Sequence, residues 1–101
     1  MVGKKKIVIW DLKAKNDLKE IYDYLKQQSL YAAKRVRDEI LSVTRKLPEG
    51  PNIFVADELK EKNDGTYRVF YIFNYRIVYR VKSESIIVLR IQHTSREPKE
   101  Y

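Results

Sequence analysis

Cysteine is absent from the 101 residues, which excludes a disulfide framework, a zinc–thiolate site and a thiol nucleophile, and a reducing cytoplasm is the expected compartment. Histidine occurs once, at His93. A catalytic zinc ion would have to draw most of its ligands from carboxylates, and the sequence has no H-E-x-x-H or comparable spacing. We therefore expect neither a metal nor another cofactor. Apolar runs are only a few residues long, far short of the roughly twenty a membrane span needs. The N-terminus has no apolar stretch of signal-peptide length, so no membrane association is expected. Internal repeats, low-complexity tracts and interdomain linkers are also missing.

What is present is a chain of ordinary globular composition, 44% hydrophobic, long enough for one compact domain over residues 1–101. A chain of this size buries roughly 60 to 70% of its unfolded surface. Lysine and arginine number 21 against 14 aspartates and glutamates, a net charge of +7. Such a balance suits an acidic partner, nucleic acid or protein, although positive charge also serves solubility alone.

Along the chain, Ile7-Val8-Ile9-Trp10 is a short β-rich run with a lysine-rich approach beginning at Lys4. Asp11 follows as an N-cap candidate. Ala14, Leu18, Ile21, Tyr22 and Leu25 recur at the spacing of one helical stripe, and Ala33, Val36, Ile40, Val43 and Leu47 form a second stripe that begins just after Ser29. Only Gln28 to Tyr31 separates the two stripes, so a helical hairpin is expected. Pro48-Glu49-Gly50-Pro51 ends helical structure. Ile53-Phe54-Val55 reads as a short strand, and Asp57 to Thr66 as a charged segment with a turn at Asn63-Asp64-Gly65. Tyr67 to Phe73, Arg76 to Lys82 and Ile86 to Gln92 then read as strands of an antiparallel meander. The tail from Thr94 to Tyr101 reads as polar and loosely held. The expected fold class is α+β, an N-terminal strand and α-helical hairpin packed on a curled antiparallel sheet.

A two-residue turn at Asn74-Tyr75 would pair Ile72 with Ile77 and Phe70 with Tyr79; a loop at Ser83 to Ser85 would pair Val81 with Ile87, Tyr79 with Leu89 and Ile77 with Ile91. Phe70, Ile72, Ile77, Tyr79, Val81, Ile87, Leu89 and Ile91 then share the face toward the helices. The opposite face carries Tyr67, Val69, Tyr71, Phe73, Arg76, Val78, Arg80, Val88, Arg90 and Gln92. So many large side chains on a face turned from the core imply a binding surface or cover by another chain.

This order of elements resembles the RelE/ParE toxin superfamily. The residues carrying the resemblance are Trp10 with Ala14 and Asp17-Leu18; Ile21 with Tyr24; Ser29 with Ala32; Leu47 with Pro48 and Gly50; Tyr67-Arg68; Tyr75-Arg76-Ile77 with Tyr79; and Ile91 with His93 and Arg96. The resemblance implies the toxin half of a type II toxin-antitoxin module, of the plasmid stabilisation kind, that arrests growth and is neutralised by a small acidic antitoxin. Its ParE-like branch implies binding to DNA gyrase without a catalytic centre. Its RelE-like branch implies metal-independent cleavage of mRNA on the ribosome.

Cleavage needs a proton-transfer group and cations for the charged transition state. His93, Arg80 and Arg96 are the catalytic candidates in that branch, with Arg76 and Arg90 as further phosphate holders and Lys60 and Lys62 in support. For binding of antitoxin or target the candidates are Tyr67, Tyr71, Phe73, Arg76, Arg80 and Arg90. His93 shares the parity of the core face, so capping the core competes with catalysis as its role; the arginines suit antitoxin carboxylates as well as phosphate. Lys60 and Lys62 sit among Asp57, Glu58, Glu61 and Asp64, a departure from a densely basic nuclease strand. The reading therefore leans away from an enzyme and toward a ParE-like inhibitor. A basic nucleic-acid-binding domain without toxicity and a degenerate toxin that still binds antitoxin are the other readings, and the aromatic face suits a second copy in a homodimer equally well.

Overall fold

A computed structural model of the chain describes residues 5–51, 54–96 and 101. The first strand, β1 (Ile7–Trp10), leads into helix α1 (Leu12–Lys26), and helix α2 (Leu30–Lys46) runs into one turn of 3-10 helix over Leu47–Glu49. Strands β2 (Tyr67–Ile72), β3 (Tyr75–Val81) and β4 (Ser85–His93) complete the fold. Both helices begin where the sequence supplies a cap. The Asp11 carboxylate accepts the Lys13 amide at 2.8 Å, and the Ser29 hydroxyl accepts the Ala32 amide at 3.1 Å. No helix is long and apolar enough to cross a membrane among the described residues.

The sheet is mixed, in the order β1-β4-β3-β2. The last three strands form the expected meander, while β1 lies parallel to β4, Ile9 opposite Ile87. The helices cover one face, and the core gathers Ala14, Val36, Ile40, Leu47, Phe70, Ile77, Tyr79, Ile86, Val88 and Ile91. Tyr79 is fully buried and its hydroxyl donates to the Pro51 carbonyl at 2.9 Å. Burial pushes the Tyr79 phenol up to about 12, against the opposing effect of Arg68, and burial likewise raises Tyr75.

The β2–β3 turn is Phe73-Asn74, one residue earlier than the expected Asn74-Tyr75, so Phe70 pairs with Ile77 and Ile72 with Tyr75. Sliding a two-residue turn by one position moves every pairing by two, and the faces keep their identity. Between β3 and β4 the outcome differs. Ile77 pairs with Ile91 as expected, but a register shift after Val78 leaves Leu89 as an extra residue and brings Tyr79 opposite Val88 and Val81 opposite Ile86. A bulge inverts the alternation of everything beyond it. Ile86 and Val88 therefore fill the core in place of Ile87 and Leu89, which are half-buried, and Val88 leaves the outer face to which the regular register assigns it.

The expected strand at residues 53–55 is not formed at its described residues: Phe54 packs on Phe70 with ring centroids 5.0 Å apart, and the backbone pairs with β2 only as an isolated bridge, Ala56 with Arg68, in which the Val69 amide donates to the Val55 carbonyl at 3.1 Å. Ile53, like Lys4, lies outside the described residues. The tail is held where it is described. Thr94 donates to the Asn74 carbonyl at 2.8 Å, and Tyr101 packs against Tyr67 with centroids 6.2 Å apart.

Candidate functional site

The outer sheet face is partly closed from within. Val69, Arg76, Val78 and Gln92, all assigned to it by the sequence pattern, are buried. Arg76 stands on β3 opposite Tyr71, and its guanidinium is ion-paired with Asp57, itself only 2% exposed. The Tyr101 hydroxyl reaches the same carboxylate, and Arg76 Nη2 donates to that hydroxyl at 3.3 Å. Among the described residues Arg76 Nε is buried without a hydrogen-bond partner.

The segment that carries Asp57 is a folded loop rather than a free charged stretch. Asn63 holds it closed, donating through Nδ2 to the carbonyls of Asp57 at 3.0 Å and Tyr67 at 2.8 Å while its Oδ1 accepts the Gly65 amide at 2.9 Å. Gly65 takes φ +92°, a conformation that suits glycine. The Asp57 carboxylate also accepts the Leu59 amide at 3.0 Å. The loop thus delivers one carboxylate to one arginine.

Around this pair lies a half-exposed cluster of cations and rings. Arg80 sits 4.6 Å above the Tyr67 ring and donates through Nε to the Thr66 hydroxyl at 3.2 Å. Lys60 lies 4.6 Å from the Tyr67 ring and 5.1 Å from that of Tyr101, and donates to the Tyr101 carbonyl at 2.7 Å. Such a surface can hold an anion and stack a planar group.

At the other end of the sheet, β4 and α1 border a groove of about 690 Å³ lined by Tyr24, Leu25, Phe73, Tyr75, His93 and Arg96 among others. Asp17 of α1 grips Arg90 through both carboxylate oxygens at 3.0 Å. His93 packs edge-on against Tyr75 at 5.4 Å, and its Nδ1 lies 2.7 Å from the Ser95 hydroxyl. Phe73 projects from the turn with 54% of its surface exposed and Arg35 5.5 Å from its ring. Its φ is +52°. An aromatic residue in that left-handed region is strained, and such strain persists only where the surrounding structure holds it.

A family profile described as ParE toxin of type II toxin-antitoxin system, parDE, matches residues 8–98. The chain belongs to the ParE toxin family. Among solved structures, the chromosomal ParDE toxin-antitoxin system from P. aeruginosa superimposes with TM-score 0.71 and 23% identity, covering 88% of this chain and 96% of that one. The toxin of the RelBE2 toxin-antitoxin complex from Mycobacterium tuberculosis matches at TM-score 0.61 and 17% identity over 89% and 99% of the two chains. The YoeB dimer from Staphylococcus aureus matches at 0.59 and 16% over 89% and 98%. At these identities the likeness is one of fold. No curated protein is significantly similar in sequence.

In this ParE-family toxin the residues singled out from sequence fall into three separate places. Tyr67 and Arg80 meet in the cation–aromatic cluster, with Tyr71 exposed nearby on β2. His93, Arg96 and Phe73 border the groove. Arg76 and Arg90 are taken up by internal carboxylates, so neither stands on an open surface. Arg80 lies five residues along β3 from Tyr75, the partner of His93, a separation of roughly 16 Å at 3.3 Å per residue. His93 and Arg80 do not converge on one substrate atom. Sequence reasoning missed Asp17 and Asp57 as ion-pair partners and Tyr101 as part of the cluster. Asp17 could have been found from its position among the apolar residues of the α1 stripe, where a carboxylate needs a partner.

Proposed function

We propose that this toxin acts in the cytoplasm as a non-catalytic, ParE-like inhibitor that arrests growth by binding DNA gyrase, and that a small acidic antitoxin neutralises it. The observation that carries this reading is the internal neutralisation of Arg76 by Asp57 and of Arg90 by Asp17. Two of the arginines a nuclease would turn on phosphate are committed to the fold, and Arg80 lies toward the far end of β3 from Tyr75, the residue that His93 of β4 pairs with. An inhibitor that works by docking needs no convergent acid, base and cation set. The ParE family profile and the net charge of +7 support the same reading, the latter because an acidic partner is steered toward a basic surface. Tyr71 and Phe73 are among the exposed large side chains available for such docking.

A supercoiling assay with purified toxin tests the proposal. Inhibition at micromolar toxin, weakened by Tyr71→Ala or Phe73→Ala, is the expected result, and unaffected gyrase at that concentration would sink it.

One observation favours the RelE-like alternative, a ribosome-dependent mRNA endoribonuclease. Lys60, Arg80, Tyr67 and Tyr101 form a surface on which phosphate and base could both be held. Translation-dependent cleavage, mapped by primer extension and lost in Arg80→Ala or His93→Ala, would replace the gyrase reading.

A further inference from the structure

The groove between α1 and the end of the sheet holds a buried hydroxyl with nothing to bind. Tyr75 is only 8% exposed and borders the groove, yet its phenol oxygen has no hydrogen-bond partner among the described residues. A polar group so placed calls for a partner from outside the chain. Burial and the neighbouring Tyr24 phenol raise the Tyr75 hydroxyl above its ordinary value, and Arg96 opposes them. The two phenols and the guanidinium therefore lie close together in the groove.

His93 adds a further donor to the lining. The Ser95 amide donates to its Nδ1 at 3.1 Å, so Nδ1 is the acceptor of the ring and the neutral imidazole keeps its proton on Nε2. Much of the remaining wall is apolar, with Ile21 and Leu25 from α1, Ile91 from β4 and the exposed Phe73 ring. The charge is nearly balanced. Asp17 is answered by Arg90, and Arg35 lies 5.5 Å from the Phe73 ring. Among the described residues no ion pair engages Glu20, Arg35 or Arg96. Two cations against one carboxylate leave a single positive charge.

We propose that this groove binds a small aromatic carboxylic acid, its carboxylate held by Arg96 and the Tyr24 and Tyr75 hydroxyls and its ring lodged against Leu25 and Phe73. A planar guanidinium flanked by hydroxyl donors matches a carboxylate in shape and charge. A doubly charged phosphate would bring more negative charge than the groove answers. The groove's volume of about 690 Å³ is that of a small-molecule site. The site belongs to the toxin alone and stands whether or not Phe73 meets gyrase.

Titration of the full-length toxin with phenylacetate, followed by ¹H–¹⁵N NMR, tests the proposal. We expect saturable shifts centred on Tyr24, Tyr75, His93 and Arg96, with a Kd of roughly 1 mM or below, as suits a ligand of about ten heavy atoms. Tyr75→Phe removes a hydroxyl that no protein group holds, so it should weaken binding several-fold with its thermal melt unchanged. Arg96→Gln should weaken it roughly tenfold or more. Acetate, which has the charge without the ring, and benzyl alcohol, which has the ring without the charge, should each bind at least roughly tenfold more weakly, and they keep the test decisive should a variant fail to fold. The proposal is overturned by the absence of saturable shifts, by equal affinity for the parent and both variants, or by shifts centred on Lys60, Tyr67 and Arg80. It is overturned equally by acetate matching phenylacetate, which would mark simple anion binding, and by phenyl phosphate binding more tightly than phenylacetate, which would point to a phosphate-bearing ligand.

Discussion

Asp17 on α1 holds Arg90 on β4 through both oxygens of its carboxylate, and Oδ2 also accepts the Ile91 amide at 2.9 Å. The contact sits beside the β4 bulge, where strand pairing is irregular, so one side chain from the helical layer satisfies both a guanidinium and a backbone donor. Removing the carboxylate leaves a nearly buried cation without that partner. Asp17→Ala should therefore lose about 3–5 kcal/mol of stability by urea unfolding. A loss below about 1 kcal/mol, as for an exposed pair, would show that the contact does not anchor α1.

Arg76 and Arg80 differ by four residues on one strand but belong to different categories. Arg76 is buried against Asp57, whereas Arg80 is half-exposed over Tyr67. Arg76→Ala should cost about 3–5 kcal/mol. Arg80→Ala should cost about 1 kcal/mol or less, since a solvent-facing cation–π contact contributes little to folding. Comparing chemical melts with growth arrest separates the two: loss of toxicity tracks lost fold for Arg76 and lost binding for Arg80. Equal destabilisation of both variants would contradict the burial difference.

Phe73 carries a positive φ at the first position of a two-residue hairpin turn, where glycine is usual. Phe73→Gly relieves that strain, roughly 1–3 kcal/mol, but frees the unfolded chain and removes the contact with Arg35. The opposing effects should leave stability within about 1 kcal/mol of the parent. Target inhibition should nevertheless fall at least several-fold if the exposed ring docks on a partner. Thermal melts and the supercoiling assay on the same preparation distinguish these outcomes; unchanged inhibition removes Phe73 from the docking surface.

The Tyr79 phenol is pushed from its ordinary value of 10.0 up to about 12 by burial. A raised folded-state value means that the native protein holds the proton more tightly than the unfolded chain. The contribution is fully present below pH 10 and is lost as the pH rises toward 12. It amounts to about 2–3 kcal/mol at most. Urea melts between pH 9 and 12 should show stability falling across that window, with a shallower fall in Tyr79→Phe. The same slope in both proteins would assign the loss to other groups.

The helical layer was legible from sequence because a helix's pattern is local. Asp11 and Ser29 cap the turns they immediately precede, and Ala14, Ala33, Val36 and Ile40 fall inward by 3.6-residue spacing alone. The identities of Ile77, Tyr79 and Ile91 as core residues were equally readable from alternation along β3 and β4. Tertiary structure decided what depends on two distant segments at once. The bulge at Leu89 exchanged Ile87 for Ile86, because an extra residue inverts the alternation beyond it and no residue type announces one. Likewise the strand pattern turned Arg76 and Arg90 outward, but the carboxylates that claim them come from positions 57 and 17, brought close only by the Asn63-locked loop and by the packing of α1 on β4. Periodicity tells which way a side chain leaves the backbone; what it meets there is set by the rest of the chain.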